Sequence, residues 1–95
     1  MTNRVEGIIA EIGSQGNLIT SIKNAQLADA PRDATTSIRF GGHETICLYE
    51  SGHSEPESTM VAYLGDSECL EIEIVGMNLA GMLGIQVGES VSVVW

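Results

Sequence analysis

Alternation of apolar and polar side chains, the pattern of β-strands, runs through most of this chain. Segments with this period cover residues 5–12, 17–22, 35–40, 43–49, 58–64, 70–74 and 90–95. Gly41-Gly42 joins the third segment to the fourth, and glycine accepts the positive φ angles that a two-residue hairpin turn requires. The pattern therefore predicts seven strands. The first is apolar on both faces, which indicates a strand that is covered on both sides.

One segment near the C-terminus changes to a helical period. Leu79, Met82 and Leu83 fall at i, i+3 and i+4, so they form one apolar stripe on a short helix over residues 76–83. Gly84 follows as a cap in the left-handed conformation.

Two other segments have little regular pattern. Residues 26–30 have room for one helical turn, which Pro31 ends. Residues 50–58 are polar and contain Gly52 and Pro56, so they predict a mobile loop.

Length and charge narrow the class of protein. Ninety-five residues predict a single domain over 1–95, and seven short strands with one brief helix predict an all-β closed barrel or sandwich. Four basic residues oppose thirteen acidic ones, which gives a net charge of −9. Nucleic acids and anionic membranes are bound through Lys and Arg, so this charge argues against both as partners.

The cysteines and the N-terminus predict a cytoplasmic location. Residues 1–4 lack the apolar run of a signal peptide, and no segment reaches the ~20 apolar residues of a membrane span. Cys47 lies in a predicted strand and Cys69 at the start of another, and both are expected to be free thiols, with a disulfide between them as the less favoured alternative.

Few side chains stand out for catalysis or metal binding. Glu71 and Glu73 share one face of the sixth strand, and the favoured interpretation is a solvated face; the alternative is acid–base chemistry or a divalent cation. His43 and His53 lack a second His or a Cys at ligand spacing, so they predict structural roles and no metal site. No motif for a nucleotide cofactor is present.

Two stretches resemble a known family. Residues 16–20 read Gly-Asn-Leu-Ile-Thr, and residues 65–74 read Gly-Asp-Ser-Glu-Cys-Leu-Glu-Ile-Glu-Ile, followed by a short helix ending in Leu83-Gly84 and by Val87-Gly88 before the last strand. They are similar to the F-G-N-x-x-T-N-I and N-S-x-G-x-L-E-I-A segments of the C-terminal domain of S-adenosylmethionine hydroxide adenosyltransferases and adenosyl halogenases. The resemblance implies a compact Greek-key barrel.

The resemblance also implies ligand-binding positions. The family's Asn that matches Asn17 hydrogen-bonds the adenine edge, which suits an amide that offers both a donor and an acceptor. The alternative is that Asn17 only accommodates a tight turn. Asp66 and Ser67 match the positions that hold the methionine end of the ligand. The Arg that clamps the carboxylate there in halogenating members is Ser67 here, and Asp66 would repel a carboxylate, so adenosine is favoured over intact S-adenosylmethionine.

Three functions follow as expectations. Because the family's catalytic residues belong to a separate N-terminal domain, the chain is expected to be a non-catalytic assembly or interaction module without a cofactor. It would form a homo-oligomer, a trimer by resemblance, or bind a separately encoded catalytic-domain protein. The second is an adenosine or S-adenosylmethionine binding protein, or a half-site that such a partner completes. The third, an enzyme using the carboxylates of residues 66–73, is least favoured. An apolar patch of the first strand with Val94 and Trp95 is the expected contact surface.

Overall fold

The computed structural model describes residues 3–95, so Met1 and Thr2 of the predicted 1–95 domain and N-terminal stretch lie outside it. The chain forms eight strands, one short α-helix and one 3₁₀ turn. In order they are β1 (Arg4–Ile12), β2 (Leu18–Lys23), the 3₁₀ turn (Asn24–Leu27), β3 (Ser37–Phe40), β4 (His43–Ile46), β5 (Tyr49–Glu50), β6 (Met60–Leu64), β7 (Cys69–Ile74), α1 (Leu79–Leu83) and β8 (Ser90–Val94).

All eight strands form one hydrogen-bonded sheet in the order β4-β3-β8-β1-β2-β7-β6-β5. Neighbours are antiparallel except β5 and β6, which are parallel. The sheet curls until β4 lies close to β6, while β4 and β5 form its two edges. The predicted all-β, barrel-like fold with one short helix near the C-terminus is therefore confirmed, as a curled half-barrel sheet with eight strands where about seven were expected.

The eighth strand arises from a break in the predicted segment 43–49. Cys47 has a φ of 71°, which turns the chain out of the β3–β4 ladder. Its backbone N–H donates to the carbonyl of Thr36, 3.0 Å away. Tyr49 then pairs with Tyr63 in the parallel direction. A positive φ at a residue other than glycine leaves no sequence signal, so the break was not predictable.

Two glycine predictions are confirmed. Gly41 and Gly42 both have positive φ angles, as the tight β3–β4 hairpin requires. Gly84 caps α1 with a φ of 67°, and the side chain of Asn78 caps the other end by accepting from the Gly81 N–H. The helix is shorter than predicted, and its apolar stripe is incomplete because Met82 is 54% exposed.

The core fills the inside of the curled sheet, and both α1 and the 3₁₀ turn contribute side chains to it. Its largest fully buried side chains are Phe40, Ile9, Leu18, Ile22, Leu27, Ile38, Leu70, Ile72, Leu79, Val61, Val91 and Val93. The prediction that β1 is covered on both faces is wrong, because Ile9 is fully buried but Ile8 is 46% exposed. Trp95, expected in an exposed patch, packs against the core.

The side chain of Thr20 hydrogen-bonds backbone groups at an irregular stretch of the sheet. The β2–β7 register shifts between Ile19 and Lys23, so ladder bonds are missing there. The buried Thr20 hydroxyl donates to the carbonyl of Leu70 at 2.8 Å and accepts from the N–H of Ile22 at 3.2 Å. Because buried polar backbone groups need partners, this side chain takes the place of a ladder bond.

Both cysteines are free thiols, as predicted. Within residues 3–95, no helix has the length and apolar character needed to cross a membrane.

The turn between β6 and β7 contains a strained residue. Glu68 is exposed and has a φ of 67°, in the left-handed region that costs an L-residue about 1–2 kcal/mol. We expect Glu68→Gly to raise the free energy of unfolding by about 0.5–1 kcal/mol, because glycine removes the strain but adds freedom to the unfolded chain. Urea unfolding measures the change.

Glu57→Gly is the matched control, because Glu57 is also an exposed turn residue but has no positive φ. Glycine there adds only unfolded-state freedom and is expected to destabilise the protein. Equal losses from both substitutions would contradict the strain at Glu68.

Candidate functional site

An open cleft of about 410 Å³ lies where the first turn (residues 13–17, between β1 and β2), the β6–β7 hairpin and the approach to α1 meet. The lining side chains and backbone come from Gln15, Asn17, Tyr63, Glu73, Ile74, Gly76, Met77 and Asn78. The first turn is docked on the helix start, since the Ala80 N–H donates to the carbonyl of Gly16 at 3.0 Å. Three separate segments, residues 15–17, Tyr63 on β6 and residues 73–78, therefore form the walls of this cleft.

Asn17 is anchored by a buried carboxylate. Its amide nitrogen Nδ2 donates to Oε1 of Glu71 at 3.0 Å. The hydroxyl of Tyr63 donates to the same oxygen at 3.0 Å, and the hydroxyl of Ser67 donates to Oε2 at 2.7 Å. Glu71 is only 8% exposed, so three neutral donors replace the water that a carboxylate otherwise binds.

Two glycines make room for this pair. A Cβ on Gly65 would lie 2.1 Å from Oε2 of Glu71, and a Cβ on Gly13 would lie 2.2 Å from Oδ1 of Asn17. Neither distance is compatible with a side chain larger than a hydrogen atom. The two glycines therefore leave the space that the side chains of Glu71 and Asn17 occupy.

The expectation of a solvated face at Glu71 is wrong. β7 lies inside the sheet, between β2 and β6, and Tyr63 is directly opposite Glu71 in the β6–β7 register. A tyrosine opposite a glutamate covers the carboxylate and gives it a donor. The turn at residues 65–68 fixes this register, so the sequence contains the pairing as a signal, which alternation within β7 alone does not reveal.

The second carboxylate, Glu73, is held by a loop histidine. Nε2 of His53 lies 2.8 Å from Oε2 of Glu73, and Nδ1 accepts from the Glu55 N–H at 3.2 Å. Because Nδ1 is an acceptor, the ring proton is on Nε2 and is donated to Glu73. The His53 side chain is 9% exposed and packs between the rings of Tyr49 and Tyr63. Its structural role was expected, but its position next to the cleft was not.

Ser67 and Asp66, the two other predicted site residues, make different contacts. Ser67 joins the Asn17 network through Glu71. Asp66 is exposed and accepts from the Ser51 hydroxyl at 2.9 Å, on the outer side of the hairpin. The structure therefore brings Asn17 and Ser67 to one carboxylate and leaves Asp66 outside that network.

The cleft is acidic. Among the residues that the structure describes, Glu73, with 29% of its side chain exposed, is the only charged one that lines it. Across residues 3–95, no group of three or more His, Cys, Asp and Glu side chains is placed to hold a metal ion. Hydrogen-bond donors, hydroxyls and cations suit this surface, whereas phosphate or carboxylate groups would meet repulsion.

A larger depression, about 550 Å³, lies on the outer face of β1, β8, β3 and β4. It contains the ion pairs Arg4–Glu6 and Arg39–Glu44, whose side chains are all more than half exposed. Exposed pairs of this kind contribute little to the free energy of unfolding, and each charge is already neutralised by its partner. The Asn17 cleft differs because its polar groups are anchored by a buried side chain.

Burial and the neighbouring Glu71 raise the pKa of Tyr63, with burial as the larger cause. We therefore expect the phenol to stay protonated well above pH 10. In a Tyr49→Phe background Tyr63 is the one remaining tyrosine, so its ionisation can be followed by absorbance at 295 nm. The contribution of this raised pKa to the free energy of unfolding is fully present below the unfolded pKa of about 10. It is lost as the pH rises from there towards the folded pKa.

Glu71→Gln serves as the control for this titration. It removes the neighbouring charge but leaves the burial, so the pKa of Tyr63 should fall only part of the way to 10. A normal tyrosine titration in the folded protein would contradict the geometry.

Comparison with known families assigns the chain by its sequence. The sequence model described as SAM hydroxide adenosyltransferase C-terminal domain matches residues 7–92. The chain belongs to this family. The match is to the C-terminal domain alone, and it contains all of the Asn17–Glu71 network. None of the curated proteins matches the chain significantly.

Solved structures share the fold of this family member. An uncharacterized conserved protein from Thermotoga maritima aligns with a TM-score of 0.75 and 18% identity over 94% of this chain and 34% of its own. A conserved hypothetical protein from Thermus thermophilus aligns with a TM-score of 0.69 and 22% identity over 93% of this chain and 32% of its own. The chain thus spans about a third of the length of both.

Proposed function

We propose that this adenosyltransferase C-terminal-like domain is a non-catalytic interaction module that provides one wall of an adenosyl nucleoside site. A second polypeptide, either a separate catalytic-domain protein or another copy in a homo-oligomer, provides the opposite wall. The observation that carries the proposal is the anchored amide of Asn17, held by a buried carboxylate at an open cleft.

The open shape of the cleft supports a half-site. Ligands of nucleoside size are normally enclosed over most of their surface, and this cleft is open to solvent. The solved relatives are about three times as long as this chain, so a wall supplied from outside it is consistent with their length.

The charges favour adenosine over intact S-adenosylmethionine. Within residues 3–95, no Lys or Arg lines the cleft to clamp a carboxylate, and Glu73 would repel one. Asp66 contacts Ser51 and not the Asn17 network. The methionine end of the larger ligand therefore gains little from these side chains.

An assembly module without any ligand is the second candidate. Met77 and Met82, at the cleft and on α1, are 42% and 54% exposed. Exposed methionines are frequent at adaptable protein contacts. This candidate shares the partner-binding surface with the first but requires no nucleoside.

An NMR titration with adenosine, followed by S-adenosylmethionine, tests the proposal. We expect saturable shifts at the Asn17 side chain and at residues 73–78 with adenosine, and weaker binding of S-adenosylmethionine. Asn17→Ala should abolish the shifts, whereas Asp66→Asn, away from the network, should leave the affinity for adenosine unchanged. No shifts at millimolar adenosine would reject nucleoside binding by the isolated domain and leave either the assembly module or a half-site that binds only with its partner.

A further inference from the structure

We propose that Glu71 is a positioning residue that fixes which way the Asn17 amide faces, and thereby sets which purine the cleft accepts. The buried carboxylate holds Nδ2 of Asn17, so one donor is committed and the amide cannot rotate. The choice of purine rests on the proposed function, whereas the fixed amide orientation can be tested without a ligand.

The physical basis is the near symmetry of the amide group. The oxygen and nitrogen of an asparagine amide have almost the same shape, so a rotation of 180° about the Cβ–Cγ bond exchanges an acceptor for a donor at little steric cost. An asparagine amide that is free to rotate can therefore bind either a donor or an acceptor at the same position of a ligand. An ionised carboxylate only accepts hydrogen bonds, so it tolerates the NH₂ group as its neighbour and repels the carbonyl oxygen.

Glu71 is itself held in place. Tyr63 and Ser67 each donate to one of its oxygens, and the missing Cβ of Gly65 leaves the space that its Oε2 occupies. Because the group is 8% exposed, the repulsion that penalises the wrong amide orientation is not screened by water. Because the Glu71 oxygens are acceptors in fixed positions, the Asn17 NH₂ group that donates to Oε1 is fixed as well.

Glu71 takes one N–H of the Asn17 amide and the side chain lines the cleft, so we assign its other N–H and Oδ1 to the ligand. On its Watson–Crick edge adenine presents the N6 amino donor beside the N1 acceptor, whereas hypoxanthine presents the O6 acceptor beside an N1–H donor, so the two patterns are reversed. A fixed amide distinguishes the two bases, as paired donor and acceptor contacts do elsewhere. An amide that is free to rotate adapts to either base.

The test compares adenosine with inosine in wild type and in Glu71→Gln. We expect wild type to prefer adenosine by roughly tenfold or more. Glutamine has almost the same shape but offers a donor as well as an acceptor, so both orientations of Asn17 become allowed. The preference should then fall to about twofold or less, while adenosine still binds. An unchanged preference in Glu71→Gln would overturn the proposal.

Asp66→Asn is the matched control. It makes the same change from carboxylate to amide on the same hairpin, but Asp66 contacts Ser51 and not the Asn17 network, so the preference for adenosine should persist. A loss of preference in Asp66→Asn equal to that in Glu71→Gln would mean that the charge of the hairpin, and not amide orientation, is responsible.

The free protein supplies an independent readout. In wild type, one of the two Asn17 amide protons should be shifted downfield and protected from exchange, and in Glu71→Gln this difference between the protons should diminish. If adenosine fails to bind, the proposed function falls while these protons still decide the role of Glu71. Two equivalent, rapidly exchanging protons in wild type would reject the fixed amide.

Discussion

Gly65→Ala is expected to lower the free energy of unfolding by about 3 kcal/mol, a large share of the roughly 5–15 kcal/mol that holds a domain of this size together. The new Cβ would lie 2.1 Å from Oε2, 2.5 Å from Cδ and 2.7 Å from Cγ of Glu71. The carboxylate would have to leave its three donors, and Asn17 would lose its anchor. Urea unfolding measures the loss.

Two comparisons isolate the cause of this loss. Gly52→Ala places a methyl group where no atom lies within 4 Å, so its effect should stay near zero or be slightly stabilising. In a Glu71→Ala background the clashing atoms are gone, so Gly65→Ala should then cost far less than in wild type. Additive losses in the double variant would show that the clash with Glu71 is not the cause.

Gly16→Ala is expected to be at least as damaging, with a loss of about 3–4 kcal/mol. Gly16 has a φ of 85°, and its Cβ would lie 2.0 Å from Oδ1 and 2.8 Å from the backbone Cα of Asn78. Because backbone cannot rotate away as a side chain does, the first turn must separate from the start of α1. The cleft should open at the same time, so Asn17 should lose its ordered amide signals.

Gly84→Ala separates backbone strain from contact. Gly84 also has a positive φ, 67°, but no atom lies within 4 Å of its Cβ position. Its substitution should therefore cost only the strain of the left-handed conformation, about 1 kcal/mol. If Gly16→Ala and Gly84→Ala lower the free energy of unfolding equally in thermal and urea unfolding, the close approach of Gly16 to Asn78 contributes nothing.

The elements that the sequence predicted well are those with local causes. Alternating side chains placed the main strands, and Gly41-Gly42 and Gly84 marked a hairpin and a helix end because their positive φ angles are a property of glycine itself. The break at Cys47 has no such local cause. It depends on the parallel pairing of β5 with β6, which is set by contacts distant in sequence.

The candidate site was predicted only in part for the same reason. Asn17 was singled out by its resemblance to a known motif, and the structure places it at the cleft. Glu71 was assigned to solvent because strict alternation predicts one wet face, but β7 has neighbours on both sides and Tyr63 covers that face. The role of His53 depends on where a long loop folds back, which periodicity does not report.

The place of β8 between β1 and β3 has a consequence for how the protein folds. Within the sheet, the β3–β4 hairpin connects to β1 only through β8, which is the last strand to be made. An emerging chain can form its three hairpins locally and can pair β2 with β7, yet the β3–β4 hairpin cannot join the rest of the sheet until β8 is available. Contacts between such distant segments slow folding. During synthesis the β3–β4 hairpin therefore waits with an unpaired edge, which makes this stage the most vulnerable to aggregation and to capture by a chaperone.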